Sequence, residues 1–170
     1  YTDRNTATIS RKESVTMKKL IFLGTSAGGM RPKAVIAYNK DTGEFRSGQV
    51  NLPEGFKHYI IKFKESDDSP TAEVEMVYHE MAKAAGIDMM PCFLKEIDGK
   101  KHFVTERFDR KDGEKIFSQT LAAISPNADD YLKIFWLADR LNLSQEDKDQ
   151  LFIRMVFNYV AGISDDHNKN

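Results

Sequence analysis

Cysteine is nearly absent from this chain: Cys92 stands alone among 170 residues. It has no internal partner for a disulfide, which excludes a disulfide-stapled scaffold and points to a reducing compartment. Long apolar runs are missing too. The longest aliphatic stretches resemble Leu20-Ile21-Phe22-Leu23, far short of the roughly 20 residues a membrane-spanning helix needs. No signal-peptide pattern opens the chain, so a cytoplasmic protein with no membrane partner is expected. Neither sign of charge dominates: 25 Lys and Arg face 26 Asp and Glu, for a net charge of -1. That removes any global electrostatic case for nucleic-acid binding. Internal repeats and low-complexity segments are also lacking. What is present, 41% hydrophobic and 30% charged residues, fits an ordinary globular chain with one sizeable domain or two small lobes. The first residue is Tyr rather than Met and the last falls inside a polar cluster, which suggests an excerpt of a longer polypeptide.

That polar cluster is the most informative stretch. A long apolar-faced segment runs into Gly162 and then Ser164-Asp165-Asp166-His167-Asn168-Lys169-Asn170. Asp165 and Asn170 have the spacing of a kinase catalytic loop. There an Asp accepts the substrate hydroxyl proton and an Asn five residues on holds Mg2+. Alone the pattern is weak, because Asp and Asn also crowd into solvated turns.

Earlier in the chain, residues 1–17 read as a polar arm or linker and Lys18 to Gly24 as a strand. Gly24-Thr25-Ser26-Ala27-Gly28-Gly29 follows. Its glycines let backbone N–H groups approach an anion closely. The Gly-Lys-Ser/Thr ending of a P-loop is missing. A serine-hydrolase elbow around Ser26 requires a helix behind it, whereas Pro32 and the β-rich Ala34 to Tyr38 follow. A strand, a glycine loop and a second strand form a nucleotide-covering flap or an ordinary wide hairpin. Asn39 to Gly43 is a turn, and 44–57 reads as loop. His58 to Lys64 is a strand with Tyr59, Ile61 and Phe63 on one face and Lys62 on the other. Lys62 can reach nucleotide phosphates or simply be solvated. A helix from Ser69 or Pro70 to Ala85, stopped by Gly86, has the stripe Val74, Val77, Tyr78, Met81 and Ala85. Glu75 near its edge stands where a kinase places the lysine's ion-pair partner, or is a solvent-face charge like Glu73 and Glu80.

Asp98-Gly99 joins two strands in a hairpin. The second strand runs into Glu106-Arg107-Phe108, an extended link and a seam between lobes. Helices then dominate. Asp129 or Asp130 caps one with the stripe Tyr131, Ile134, Phe135, Ala138 and Leu141. Ser144 and Asp147 form a capping-box-like start to the next. Its face is Leu151, Phe152, Met155, Val156, Tyr159 and Val160. Trp136 lies off its helix's stripe, where it can meet another element.

GTSAGGMRPKAVIAYN, HYIIKF, EMVYHEMAKAAGI, HFVTERFDR, FSQTLAA and FNYVAGISDDHNKN, in this order, together resemble the HipA family of serine/threonine kinases, the toxins of bacterial toxin–antitoxin systems. The resemblance covers about residues 18–170. It implies an α+β, two-lobed, protein-kinase-like fold: a mainly β N-lobe at 18–110 and the start of a helical C-lobe at 111–170, incomplete here. It also implies ATP and Mg2+ as cofactors, with Asp165 as catalytic base, His167 positioning the loop and Asn170 as a Mg2+ ligand. Lys62 would meet the ATP phosphates with Glu75 as its partner. Gly28 and Gly29 would lie over the nucleotide, Glu106 and Phe108 would hold adenine through their backbone, and Ser26 would be an autophosphorylation site. The partners implied are a protein substrate such as an aminoacyl-tRNA synthetase, and a DNA-binding antitoxin through which DNA is contacted only indirectly.

A catalytically incomplete, kinase-like interaction domain is the alternative, and a serine hydrolase built on Ser26 and His167 is the third reading. The family has a second Mg2+-binding Asp beyond the catalytic loop, past the last residue here. Residues 1–170 alone are therefore expected to bind Mg-ATP poorly and to transfer almost no phosphate. An ATP-turnover assay on this segment checks that, and brisk Mg2+-dependent transfer would refute it.

Overall fold

The structure, a computed structural model, describes residues 8–9, 17–23, 31–49, 51–64, 66, 69–111 and 113–169. The chain gathers into two compact units, residues 1–79 with 90–116 and residues 80–89 with 117–170.

The first unit is built on a six-stranded sheet with the order β1-β3-β2-β4-β6-β5. Its strands are β1 (Thr8–Ile9), β2 (Lys33–Tyr38), β3 (Phe45–Ser47), β4 (Lys57–Lys62), β5 (Cys92–Ile97) and β6 (Lys100–Glu106). Every pairing is antiparallel, with Ile36 opposite Tyr59, Ile61 opposite Val104 and Phe93 opposite Val104. Residues directly opposite share a face, so this register collects Ile36, Tyr38, Phe45, Tyr59, Ile61 and Val104 into one buried cluster, with Phe93 packed against it. Each such side chain contributes about 1.5–3 kcal/mol when fully buried. The Tyr38 ring stacks on Phe45 at 4.5 Å between centroids, and Tyr59 meets Phe93 edge-on at 5.6 Å. The face expected for Tyr59, Ile61 and Phe63 is the buried one. The β5–β6 turn falls on Asp98 and Gly99 with φ of 52° and 73°, the double positive φ that the Asp-Gly pair favours in tight hairpins. A short ribbon, β7 (Arg110–Lys111) with β8 (Glu114–Lys115), follows β6.

Three expectations are corrected in this unit. Lys18 to Gly24 is not a strand: Met17–Leu23 is a helix, α1. A four-residue apolar run has no period that separates strand from buried helix, and Met, Lys and Leu are good helix formers. Leu20 is its buried residue, while Ile21 and Phe22 face outward. Inside the presumed arm, Thr8–Ile9 pairs with β3 and buries Ile9. The 44–57 segment is not all loop, since Phe45–Ser47 forms β3 between β1 and β2.

Helix α2 (Thr71–Ala84) begins with the Val74 N–H bonded to the Pro70 carbonyl. It ends at Gly86, whose φ of +85° suits a residue without a Cβ. The Ile87 N–H returns there to the Ala82 carbonyl, a Schellman closure. Its sequence stripe is overturned: Val74, Val77 and Met81 are exposed, and Ala72, His79 and Ala82 are buried instead.

The second unit is helical, with α3 (Leu121–Ile124), α4 (Tyr131–Arg140) and α5 (Gln145–Val160). Asp130 caps α4 by accepting from the Lys133 N–H, and Ser144 with Asp147 forms the capping box of α5. Helix α4 closes on Asn142 and α5 on Gly162, with φ of 54° and 66°. Gln150 and Arg154 of α5 bind the backbone of Gly86 and Asp88. The buried residues are few and mostly small: Ala82, Ile87, Ala128 and Ala138. No α5 residue is buried, and Phe152, Val156, Tyr159 and Val160 of its expected apolar face are exposed. Trp136 is exposed as well and carries the Arg140 guanidinium on its ring.

Ile61, with 0% exposure, and Phe152, with 54%, therefore differ sharply in what truncation costs. Ile61→Ala is expected to lower stability by about 2–5 kcal/mol, and Phe152→Ala by less than about 1 kcal/mol in the same 170-residue chain. Urea denaturation of the two variants measures the difference.

Candidate functional site

The first group of candidate residues is on the sheet. Lys62 ends β4 on the face opposite the aromatic core. Its Nζ lies 2.5 Å from Glu75 Oε2 of α2, and the side chains are 36% and 23% exposed. Arg31 Nη1 approaches the other Glu75 oxygen at 3.9 Å, and the Phe103 ring lies beside Lys62 Nζ at 5.5 Å from its centroid. A cavity of about 170 Å³ opens here, lined by Arg31, Lys62, Ser69, Thr71, Glu75 and Phe103 among others. Two cations around one carboxylate leave one positive charge in excess, in a small cavity rimmed by hydroxyls. That suits a phosphate group. Arg31 was missed by sequence reasoning, because an arginine beside a proline carries no periodic signal.

The second part is the link after β6. The Glu106 side chain accepts from Lys57 Nζ at 2.8 Å, and its N–H donates to the Pro91 carbonyl at 2.9 Å. Proline has no N–H to return the bond, so the ladder leaves the Glu106 carbonyl open apart from a 3.4 Å contact from Thr105 Oγ1. Phe108 is 68% exposed. Beneath the link, Asp109 accepts from Arg107 Nε and Nη2 at 2.7 and 2.6 Å and from Arg110 Nη1 at 2.9 Å. The Arg107 N–H is bonded to the His58 carbonyl. The Arg107 fork, then the Arg110 charge, hold the Asp109 carboxyl below its usual range against the opposing effect of burial. The buried His58 imidazole is pushed down by burial, and then by Arg110 and Arg107.

In the second unit the candidate residues are on the loop after α5. Asp165 is 93% exposed, and His167 Nε2 lies 3.6 Å from its Oδ1. Asp166 faces the helices: Tyr131 Oη donates to Oδ2 at 2.5 Å and Asn158 Nδ2 at 3.0 Å. Burial, then this bond to Asp166, pushes the Tyr131 hydroxyl up. Asn168 Nδ2 donates to the Pro126 and Ala128 carbonyls, each at 3.2 Å. Its own carbonyl accepts from the Ala122 N–H at 2.7 Å. Sequence reasoning missed Tyr131, Asn158, Asp166 and Asn168. The motif singles out the ends of the loop and says nothing of what grips its middle. Ser26, Gly28, Gly29 and Asn170 lie outside the described residues. Among the described residues no cluster of three or more His, Cys, Asp or Glu could hold a metal, and no helix is long and apolar enough to cross a membrane.

An antiparallel sheet with a lysine–glutamate link to a helix, together with a helical unit, makes an α+β protein. The sequence matches the family model of the HipA-like C-terminal domain over residues 25–170, and the chain belongs to that family. Among solved structures it is similar to HipA of Shewanella oneidensis MR-1, seen in a complex of the toxin–antitoxin system HipA, HipB and its operator DNA. The TM-score is 0.60 and the identity 20%, over 86% of this chain and 39% of that one. The chain thus spans about two fifths of that HipA. No curated protein matches it.

Because the folded Asp109 pKa is depressed, its stabilisation is present above the unfolded carboxyl range and lost as the pH falls through the folded value. Asp109→Asn is therefore expected to be less stable than the parent at pH 7. The gap should close as the pH drops below about 4. Denaturant midpoints at both pH values check this, and a gap independent of pH would refute it.

Proposed function

We propose that this chain is the nucleotide-binding and catalytic-loop portion of an ATP- and Mg2+-dependent serine/threonine protein kinase of the HipA type. The observation that carries the reading is the 2.5 Å contact between Lys62 Nζ and Glu75 Oε2. A strand lysine held by a helix glutamate is the device protein kinases use to fix the α- and β-phosphates. Supporting it, Glu106 and Phe103 both lie on β6, opposite Tyr59 and Lys62 of β4. The adenine link and the phosphate lysine are thus three residues apart along the sheet, about 10 Å, a span suited to a nucleotide lying across it.

In this reading Lys62, kept in place by Glu75, orients the phosphates, with Arg31 and the hydroxyls of Ser69 and Thr71 at the same end. The Glu106 carbonyl and the Phe108 N–H hold the adenine edge. Mg-ATP, when bound, supplies the transferable phosphoryl group. Asp165 accepts the proton of the attacking substrate hydroxyl, His167 steadies that carboxylate, and Asn170 would hold the Mg2+ of the loop. Gly28 and Gly29 would cover the phosphates. Ser26 is an autophosphorylation site, where added negative charge would repel ATP. For the whole protein, the likeness to a HipA seen with HipB and operator DNA supports a DNA-binding antitoxin as partner. A translation component such as an aminoacyl-tRNA synthetase is the proposed substrate class.

In the full-length protein, Asp165→Ala should lower phosphoryl transfer by about 10²–10⁴-fold, the worth of a general base, while ATP still binds. Lys62→Met should weaken Mg-ATP binding measured by calorimetry. Normal transfer by Asp165→Ala overturns the assignment of the base. A parent protein that takes up no Mg-ATP at all supports the binding-only alternative.

A further inference from the structure

Adjacent aspartates in the loop after α5, both exposed, have different partners. Asp165 is 93% exposed, whereas Asp166 takes two hydrogen bonds on one oxygen, from Tyr131 Oη at 2.5 Å and Asn158 Nδ2 at 3.0 Å. Asn158 Nδ2 also reaches Tyr131 Oη at 3.2 Å, so the three groups close a triangle. Both donors sit at helix ends that are themselves fixed. Tyr131 is the first residue of α4, directly behind the Asp130 cap. The Asn158 carbonyl accepts the Ile163 N–H that closes α5. Two residues on, Asn168 is bonded to the carbonyls of Pro126 and Ala128. The loop is thus pinned at 166 and 168, and the preceding Asp165 and the intervening His167 are turned outward, 93% and 51% exposed.

We infer that Tyr131 and Asn158 are positioning residues for phosphoryl transfer, gripping Asp166 so that the loop presents the Asp165 carboxylate. The inference rests on the kinase reading of Asp165. Its physical basis is direction. A phenol O–H bond to a carboxylate is charge-assisted and short-ranged, and it fixes the peptide between Asp165 and Asp166. Without the hydroxyl, Asp166 loses its stronger donor and that peptide can rotate, which carries Asp165 off line. A misplacement of about 1 Å costs on the order of 100-fold in rate. The ring of Tyr131 can be kept while its hydroxyl is removed, so packing and positioning are separable.

The test uses the full-length protein with the variants Tyr131→Phe, Asp166→Ala, Asp166→Asn and, as control on the kinase reading, Asp165→Ala. Tyr131→Phe and Asp166→Ala are expected to lower kcat by about 10- to 100-fold with KM for ATP unchanged. Asp166→Asn, which keeps an oxygen acceptor for Tyr131, should recover most of the loss. Hydrogen exchange of amides 164–169 should rise several-fold in Tyr131→Phe while that of α5 holds. Unchanged kcat and unchanged loop exchange in Tyr131→Phe overturn the inference. So does a fall in kcat and rise in KM together with faster exchange throughout α5, which would make the contact merely structural. If Asp165→Ala transfers phosphate normally, the kinase reading fails by itself. Loop exchange in Tyr131→Phe then decides whether the grip exists: a rise sustains it, and no change ends it.

Discussion

One ion pair ties the sheet to the helix that follows β4. Lys62 and Glu75 meet with both side chains more than half buried. A charge so placed is costly unless its partner is present. Glu75 faces the sheet, and Ala72 and His79, which lie one turn to either side of it, are buried on the same side of α2. Val74, Val77 and Met81 are carried to the outside. The apolar stripe alone would place those three inward, as an amphipathic surface helix normally does. The face of α2 that carries the ion pair is thus also the face that carries its small buried residues.

The same opposition between a local rule and a tertiary demand explains what was legible in the sequence. Features determined by one or two residues were readable. The Asp98-Gly99 turn, the Ser144 and Asp147 capping box, and the stops at Gly86 and Gly162 all follow from backbone chemistry near the residue itself. The buried face of β4 was readable too, since period two leaves one choice once Tyr59, Ile61 and Phe63 align. Short pieces were not. The apolar run in α1 is compatible with strand or helix, and the three residues of β3 become a strand only because β1 and β2 lie on either side of them. In the candidate site, the residues that define a motif stood out, whereas those that hold it did not. Arg31, Tyr131 and Asn158 acquire meaning only from what the fold brings beside them. Pro91, likewise, matters because it lies across from Glu106 and has no N–H to offer.

The two units reach order by different routes, and this bears on the loop. In the first unit an aromatic and aliphatic cluster is closed on the sheet, so its strands are held by burial. In the second, four residues are buried and α5 contributes none. An isolated helix of such length is marginal in water, since nucleation is unfavourable and packing normally supplies the stability. Here the ends of α5 are secured by directional bonds instead. The Ser144 capping box holds the first turn, Gln150 and Arg154 tie its middle to the backbone at Gly86 and Asp88, and the closure on Gly162 ends it. Asn158 belongs both to that closure and to the grip on Asp166. The end of the helix and the geometry of the loop are therefore one structure. Fraying the last turn of α5 would release Asp166 along with it, so the placement of the loop depends on a chain of hydrogen bonds at the unit's surface rather than on a packed core beneath it.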